Sequence, residues 1–336
     1  MAADMTKVTG DESSADDKPD LDVLKSEMAI HAGTILKVGQ PVHEMLTLAA
    51  LINSDFKLDP SMTYRSLRDN PTAHPEINDF IRGVIWNDDP ECKLFKDDNA
   101  SNNLDYSSGT AWGISYQFGG FTKPELIHRS HYGDLQWLHA MALGMDQPAA
   151  TKASILQWIE IMYSVATGVL SPDTPLVNTE LSRWFDDPAH YTTVGQLLTH
   201  RHPSPAFIPH RAVGSCFHVI QDSYAIGHTS REKPPNAPAG EADRWGAVLN
   251  FHSYGGQVED QHKHFDHSSD DLSHIDLRNP NSWNGLLGCR EGLDKCITLA
   301  NFWHRKAPWK EVYRWLDDTV FAVSPKATAS NNIIQS

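Results

Sequence analysis

The chain has 336 residues, 40% of them hydrophobic, and a formal charge of −15 from 28 Lys and Arg against 43 Asp and Glu. That length and apolar content support one large domain or two small ones with a buried core, and 21 Gly and 20 Pro are ordinary counts that exclude a collagen-like or wholly disordered chain. The charge weighs against a protein that coats nucleic acid or anionic membrane, while leaving room for a single phosphate in a cleft whose local field is set by ions.

In chain order, the acidic, Ser-rich and aromatic-free residues 1–20 read as a disordered tail. They lack the basic start and apolar stretch of a secretory signal, and no apolar run in the chain reaches the length of a membrane span. Apolar residues at helical spacing predict helices over Pro41–Ile52 and Pro75–Trp86, each with Pro at its front. Asn87-Asp88-Asp89-Pro90 ends the second. Cys92–Thr122, rich in Asn, Asp, Ser and Gly, reads as a long ordered loop. Helices are expected over Gly133–Met145, Pro148–Leu170 and His210–His228, the last with Gly227 as its stop. Arg231–Glu241 is a Pro/Gly-rich connector, and Asn281–Trp303 and Lys310–Val323 close the chain as two amphipathic helices. Strand alternation is scarce. The expectation is a single mostly α domain over 21–324, with long irregular loops and a flexible tail over 325–336.

Four cysteines (Cys92, Cys216, Cys289, Cys296) form no CxxC pattern, and Cys289 and Cys296 stand two helical turns apart, too far for an easy bridge. A reduced compartment is favoured. Trp158, Trp184, Trp283, Trp303, Trp309 and Trp315 fall mostly on helix faces and read as core, with contact at a membrane interface as the sharper alternative. Histidine is abundant, at 18 residues, and it is both the commonest metal ligand and the usual acid–base group near neutral pH.

The stretch GSCFHVIQDSYAIGHTSR (Gly214–Arg231) sets His218, Asp222 and His228 into an apolar helical pattern. Residues four apart share a helix face, so His218 and Asp222 can grip one ion. His228, ten positions on, lies about 80° round the helix from His218 and would more naturally reach a neighbouring ion. A carboxylate between two metals can bridge them with its two oxygens. The same residues also read as hydrogen-bonded polar groups of a buried helix.

FHVIQDSYAIGH resembles the His-x3-Asp-x5-His ligand helix of the zinc-dependent phospholipase C family, whose relatives include the single-strand-specific zinc nucleases. GVIWNDDPE looks like that family's segment ending in a ligand aspartate, at Asp88. RSHYGDL looks like its Ser-His-aromatic segment, at His131, and PVHEMLTLAAL like its first ligand helix, at His43. DQHKHFDHSSDD offers His262 and Asp266 for the family's final His-x3-acid pair, with His252, His264 and His267/Asp271 as other options.

The resemblance implies three zinc ions. One would sit on Asp88, His131, His218 and Asp222, a second on His43 and Asp222, and a third on His228, His262 and Asp266. Imidazole and carboxylate without thiolate suit zinc in hydrolytic sites, and three divalent ions against three carboxylates leave the cleft positive by about three charges. The implied activity is hydrolysis of a glycerophospholipid phosphodiester to diacylglycerol and a phosphorylated head group, with Asp88 orienting or deprotonating the attacking water. The implied partners are a phospholipid substrate and a transient membrane or micelle surface. The alternatives are a single-strand nuclease on the same scaffold, disfavoured by the lack of a basic run, and a non-catalytic metal-binding protein.

The sequence departs from the family in two places. The family ligates a zinc with a processed N-terminus, whereas here about 40 residues precede His43, so either processing occurs before about Ile30 or another group such as His31 substitutes. Two aromatic positions of the choline pocket hold Asp89 and His128, so the ring faces expected of a quaternary-ammonium cage are missing. Phosphatidylcholine is then one head group among several, and export is left open.

Overall fold

The structure is a computed structural model that describes residues 42–70, 72–90, 96–98, 103–105, 125–188, 191–199, 207–233, 245–253, 272–286 and 288–329. It is mostly α-helical and forms one domain.

Two helices cross at its centre. Pro75–Trp86 (α3) has Pro in its first turn and is buried without interruption from Ile77 to Trp86. Ile208–Asp222 (α7) also carries an early Pro and is buried from Arg211 to Asp222. Helices buried on every side pack inside a domain rather than on its surface. Their axes meet at two glycines. A Cβ on Gly83 would lie 2.1 Å from the Arg211 carbonyl oxygen, and one on Gly214 would lie 2.2 Å from that of Phe80. Only backbone-on-backbone contact fits there. The Asp79 carboxylate clamps the same crossing, pairing with the buried Arg211 guanidinium and accepting the Phe207 N–H at 2.7 Å.

Three helices wrap this pair. Val42–Asn53 (α1) buries Leu46, Leu48 and Leu51; each contributes about 2 kcal/mol of transfer free energy. Pro148–Thr167 (α5) ends at Gly168 in the left-handed region, φ 79°, and its Trp158 indole N–H reaches the Ser215 hydroxyl on α7 at 3.0 Å. Cys289–His304 (α8) starts from Gly288, φ 78°, where a Cβ would stand 2.0 Å from the Tyr224 carbonyl oxygen. Shorter helices complete the shell: Tyr64–Asp69 (α2), closed by a Thr63–Ser66 capping box, Leu126–Tyr132 (α4), Val194–Thr199 (α6) and Trp309–Trp315 (α9).

Strands are marginal. Lys96–Asp98 (β1) pairs antiparallel with Asn103–Asp105 (β2), inside the stretch expected to be a loop. Thr229–Arg231 (β3) pairs antiparallel with Val248–Phe251 (β4), with a register shift between Ser230 and Arg231. Buried Arg231 ties this pair to its surroundings, donating to the carbonyls of Ser223, Gly246 and Val320.

Several boundaries differ from expectation. The helix read over Gly133–Met145 is a four-residue 3-10 turn, Gln136–His139, stopped by Ala140 at φ 51°. Its continuation is diverted because Ala142 N–H bonds the His252 carbonyl at 2.6 Å instead of a helical partner. The helix read to His228 ends at Asp222, because the next residues turn back to pair β3 with β4. The helix read from Asn281 starts at Cys289, after a 3-10 turn over Pro280–Trp283, and α9 passes at Leu316 into a π turn. Residues 325–329, assigned to a flexible tail, lie along β4, where Thr328 N–H donates to the Leu249 carbonyl at 2.9 Å. All six singled-out tryptophans pack on the core, Trp158 and Trp283 being fully buried. Cys216, Cys289 and Cys296 are buried. The tail over 1–20 and Cys92 lie outside the described residues.

Candidate metal centre

The crossing of α3 and α7 delivers the site. Asp88 follows α3 by two residues and is tied by its N–H to the Ile85 carbonyl at 3.0 Å. His218 and Asp222 occupy one face of the last turns of α7. His43 comes from α1, His131 from α4, His139 from the 3-10 turn, and His228 from the turn ahead of β3. A buried chain of hydrogen bonds underpins the arrangement. Trp158 donates to Ser215, Ser215 donates to the Asn87 side-chain oxygen at 2.7 Å, and the Asn87 amide donates to the Leu138 carbonyl at 2.7 Å. Asn87 precedes Asp88 and Leu138 precedes His139, so the chain sets the spacing of two site residues.

Asp222 is the hub. Its Oδ1 lies 3.3 Å from His43 Nε2. Its Oδ2 lies 2.8 Å from His218 Nε2, 3.0 Å from His139 Nδ1 and 3.6 Å from His228 Nδ1. Asp88 Oδ1 stands 3.7 Å from both His139 Nδ1 and His218 Nε2. The His43 and His218 rings stack at 4.4 Å, and the His131 ring lies 4.7 Å from that of His139. Among the described residues, two groups that share His218 have donor atoms within 4.8 Å of one another and could hold a metal ion: His43, His218 and Asp222, and Asp88, His139 and His218.

The imidazoles share an orientation. His218 Nδ1 bonds the Val84 carbonyl at 2.7 Å, His131 Nδ1 the Ile127 carbonyl at 2.9 Å, and His228 Nδ1 the His139 carbonyl at 2.6 Å. A carbonyl only accepts, so each Nδ1 carries the proton and a neutral ring presents Nε2 as a lone pair. His43 follows the same pattern through the Gln221 amide oxygen at 2.7 Å. Outer acceptors of this kind fix tautomer and ring direction in metal-ligating histidines.

Charge completes the picture. Burial pushes His218 down to about 4 and His131 well below the ordinary histidine range, with further lowering from neighbouring histidines. Both rings are therefore neutral at pH 7. For Asp222, burial works against the charged form, but the facing histidines outweigh it and hold the carboxyl well below the usual carboxylate range. A neutral Nε2 lone pair then faces an ionised carboxylate oxygen at 2.8 Å. His139 Nδ1 stands 3.0 Å from both atoms, and a donor set of imidazole nitrogen and carboxylate oxygen without thiolate suits a divalent ion of zinc type.

The structure thus brings His43, Asp88, His131, His218, Asp222 and His228 to one place. His262 and Asp266, and the alternates His31, His264, His267 and Asp271, lie outside the described residues. His228 reaches the hub from a turn rather than from the helix, so the 80° argument does not apply to it. His252 has both ring nitrogens engaged, Nδ1 with the Gly227 carbonyl at 2.9 Å and Nε2 with the Ser230 hydroxyl at 2.8 Å. It braces His228 by donating its backbone N–H to the His228 carbonyl at 2.8 Å. Sequence reasoning missed His139. Its only signal was an imidazole inside the run LQWLHAMA, with no acid or histidine three or four residues away to mark it.

Fold and site together define a mostly α-helical domain built around a buried histidine–aspartate centre able to hold metal ions. Comparison with family models, curated proteins and solved structures returned no match.

Proposed function

We propose that this protein is a zinc-dependent phosphodiesterase of the phospholipase C type. The observation that carries the reading is the convergence of outward-anchored imidazoles on Asp222 and Asp88. It supports a centre in which Asp88, His139 and His218 take one ion, with His131 alongside, and His43 and Asp222 take another, since the single free nitrogen of His218 can serve one ion only. A third, on His228, would draw on His262 and Asp266. His139 enters this set because its Nδ1 lies between Asp222 and His218, a place that the resemblance assigned to His131.

When bound, the ions would supply Lewis acidity toward a phosphodiester and lower the pKa of a water at the site. The chain's own residues do the rest. Asp222 holds the hub together. Asp88 has the most exposed side chain of the set, at 12% against 0–6% for His43, His139, His218, Asp222 and His228. It is the acid placed to meet solvent and substrate, and it would orient or take a proton from the attacking water.

A lipid substrate gains support from the segment beyond His139, where Leu143 and Met145 stand 45% and 73% exposed. Exposed apolar side chains four and six residues along the chain from His139 fit a substrate whose head enters and whose tails stay in an interface. Head-group choice falls to polar neighbours such as the buried Asp89.

The test is turnover by zinc-supplemented full-length protein on mixed phosphatidylcholine or phosphatidylethanolamine micelles and on single-stranded DNA. The reading predicts release of a phosphorylated head group and chelator-sensitive loss of it. DNA cleavage without lipid hydrolysis would favour the nuclease, and inactivity on both with zinc bound would leave a non-catalytic metal protein.

A further inference from the structure

The outward nitrogen of His43 is held differently from those of its neighbours. His218 and His228 lean on backbone carbonyls, which cannot turn round, whereas His43 leans on the side-chain amide of Gln221. An amide presents a carbonyl on one side and an N–H pair on the other, so the tautomer of His43 depends on whatever fixes Gln221. The buried Cys296 of α8 does this. Its thiol hydrogen points to the Phe217 carbonyl at 3.8 Å, which leaves the sulfur as an acceptor, and Gln221 Nε2 donates to it at 3.7 Å. The same Nε2 donates to Thr47 Oγ1 at 3.2 Å. With the N–H side occupied, the carbonyl side meets His43 Nδ1.

We propose that Gln221 is a positioning residue which, oriented by Cys296 and Thr47, holds His43 as its Nδ1–H tautomer and so aims the Nε2 lone pair at the Asp222 side of the centre. A reversed amide would present N–H to Nδ1, move the ring proton to Nε2, and make His43 a donor to Asp222 instead of a ligand. This inference deepens the proposed function and rests on reading His43 as a metal ligand.

The experiment uses full-length protein with 15N-labelled histidine, as wild type, Gln221→Leu and Gln221→Glu. Long-range 1H–15N spectra of zinc-free protein report which His43 nitrogen is protonated. Zinc titration against a chromophoric chelator reports affinity. Wild type and the Glu variant, whose carboxylate still accepts from Nδ1, should hold the Nδ1–H form. The Leu variant should show mixed tautomers and bind one ion about 10–100-fold more weakly, and the Glu variant should restore that affinity to within a few-fold of wild type. If the Leu variant does not fold, Gln221→Met carries the same comparison. A His43 proton on Nε2 in wild type, or a Leu variant with unchanged tautomer and zinc affinity within twofold, overturns the proposal. Wild type that binds no zinc defeats the metal reading, while the tautomer comparison still decides the role of Gln221.

Discussion

A buried carboxylate is stable only if N–H donors or a cation share its space, and Asp222 has His218, His139 and His43 ring nitrogens within 2.8–3.3 Å. Replacing Asp88 by Asn keeps its size and removes its charge, so turnover should drop by about 10²–10⁴-fold while the midpoint of thermal unfolding shifts little. Kinetics and calorimetry on the same sample check this, and near-normal activity would remove Asp88 from the reaction. His139→Ala should cost more zinc affinity than His131→Ala, since only His139 places a ring nitrogen 3.0 Å from Asp222. Equal losses, read by chelator competition, would contradict that ranking. Burial lowers both His218 and His252 to about 4. Between about pH 6.5 and pH 4 the unfolded chain therefore binds more protons than the folded one, and stability must fall as the pH falls. Each ring accounts for roughly 3 kcal/mol across that window, and acidification also protonates the ligands and releases metal. Denaturant unfolding of chelator-treated protein at several pH values reads the slope, and stability that is flat or rising on acidification would be the wrong sign.

Elements place these residues, and here the sequence was legible in part. Pro75–Trp86 matches expectation at both ends, because a Pro start and an Asn-Asp-Asp-Pro stop are local signals that tertiary packing reinforces. The end of α7 was not legible. Gly227 looked like its stop, but the chain leaves the helix after Asp222 so that β3 can pair with β4, a choice made by partners far away in sequence. Gln136–His139 was hidden for the same reason. Its apolar pattern suits a helix, but the carbonyl of Leu138 is claimed by Asn87 and Ala142 N–H by His252. His43, His218 and Asp222 were visible because i, i+4 spacing and motif order can be read along a chain, whereas His139 joins them only in three dimensions. Gly83 and Gly214 passed unremarked although they set the distance between Asp88 and His218. Gly214→Ala should destabilise the fold by about 1–3 kcal/mol, since its Cβ meets backbone that cannot yield by rotating a side chain. Urea denaturation measures this, and a loss under 1 kcal/mol would mean that the helices part without cost.

For the whole molecule, the contrast lies between an acidic chain, −15 in total, and a centre that could hold cations. Among the described residues no helix is long and apolar enough to cross a membrane. Leu143→Asp with Met145→Asp should slow hydrolysis of micellar substrate several-fold and leave a short-chain, monomeric substrate nearly unaffected. Equal effects on both would separate this segment from interfacial contact. The outcomes on turnover depend on bound ions. Metal analysis of purified full-length protein, beside Asp222→Asn prepared identically, therefore bears most directly on the account. It predicts two or more zinc ions per wild-type chain and loss of most of them when the shared carboxylate becomes an amide. A wild-type chain carrying no transition metal, or a variant retaining its full complement, would contradict it.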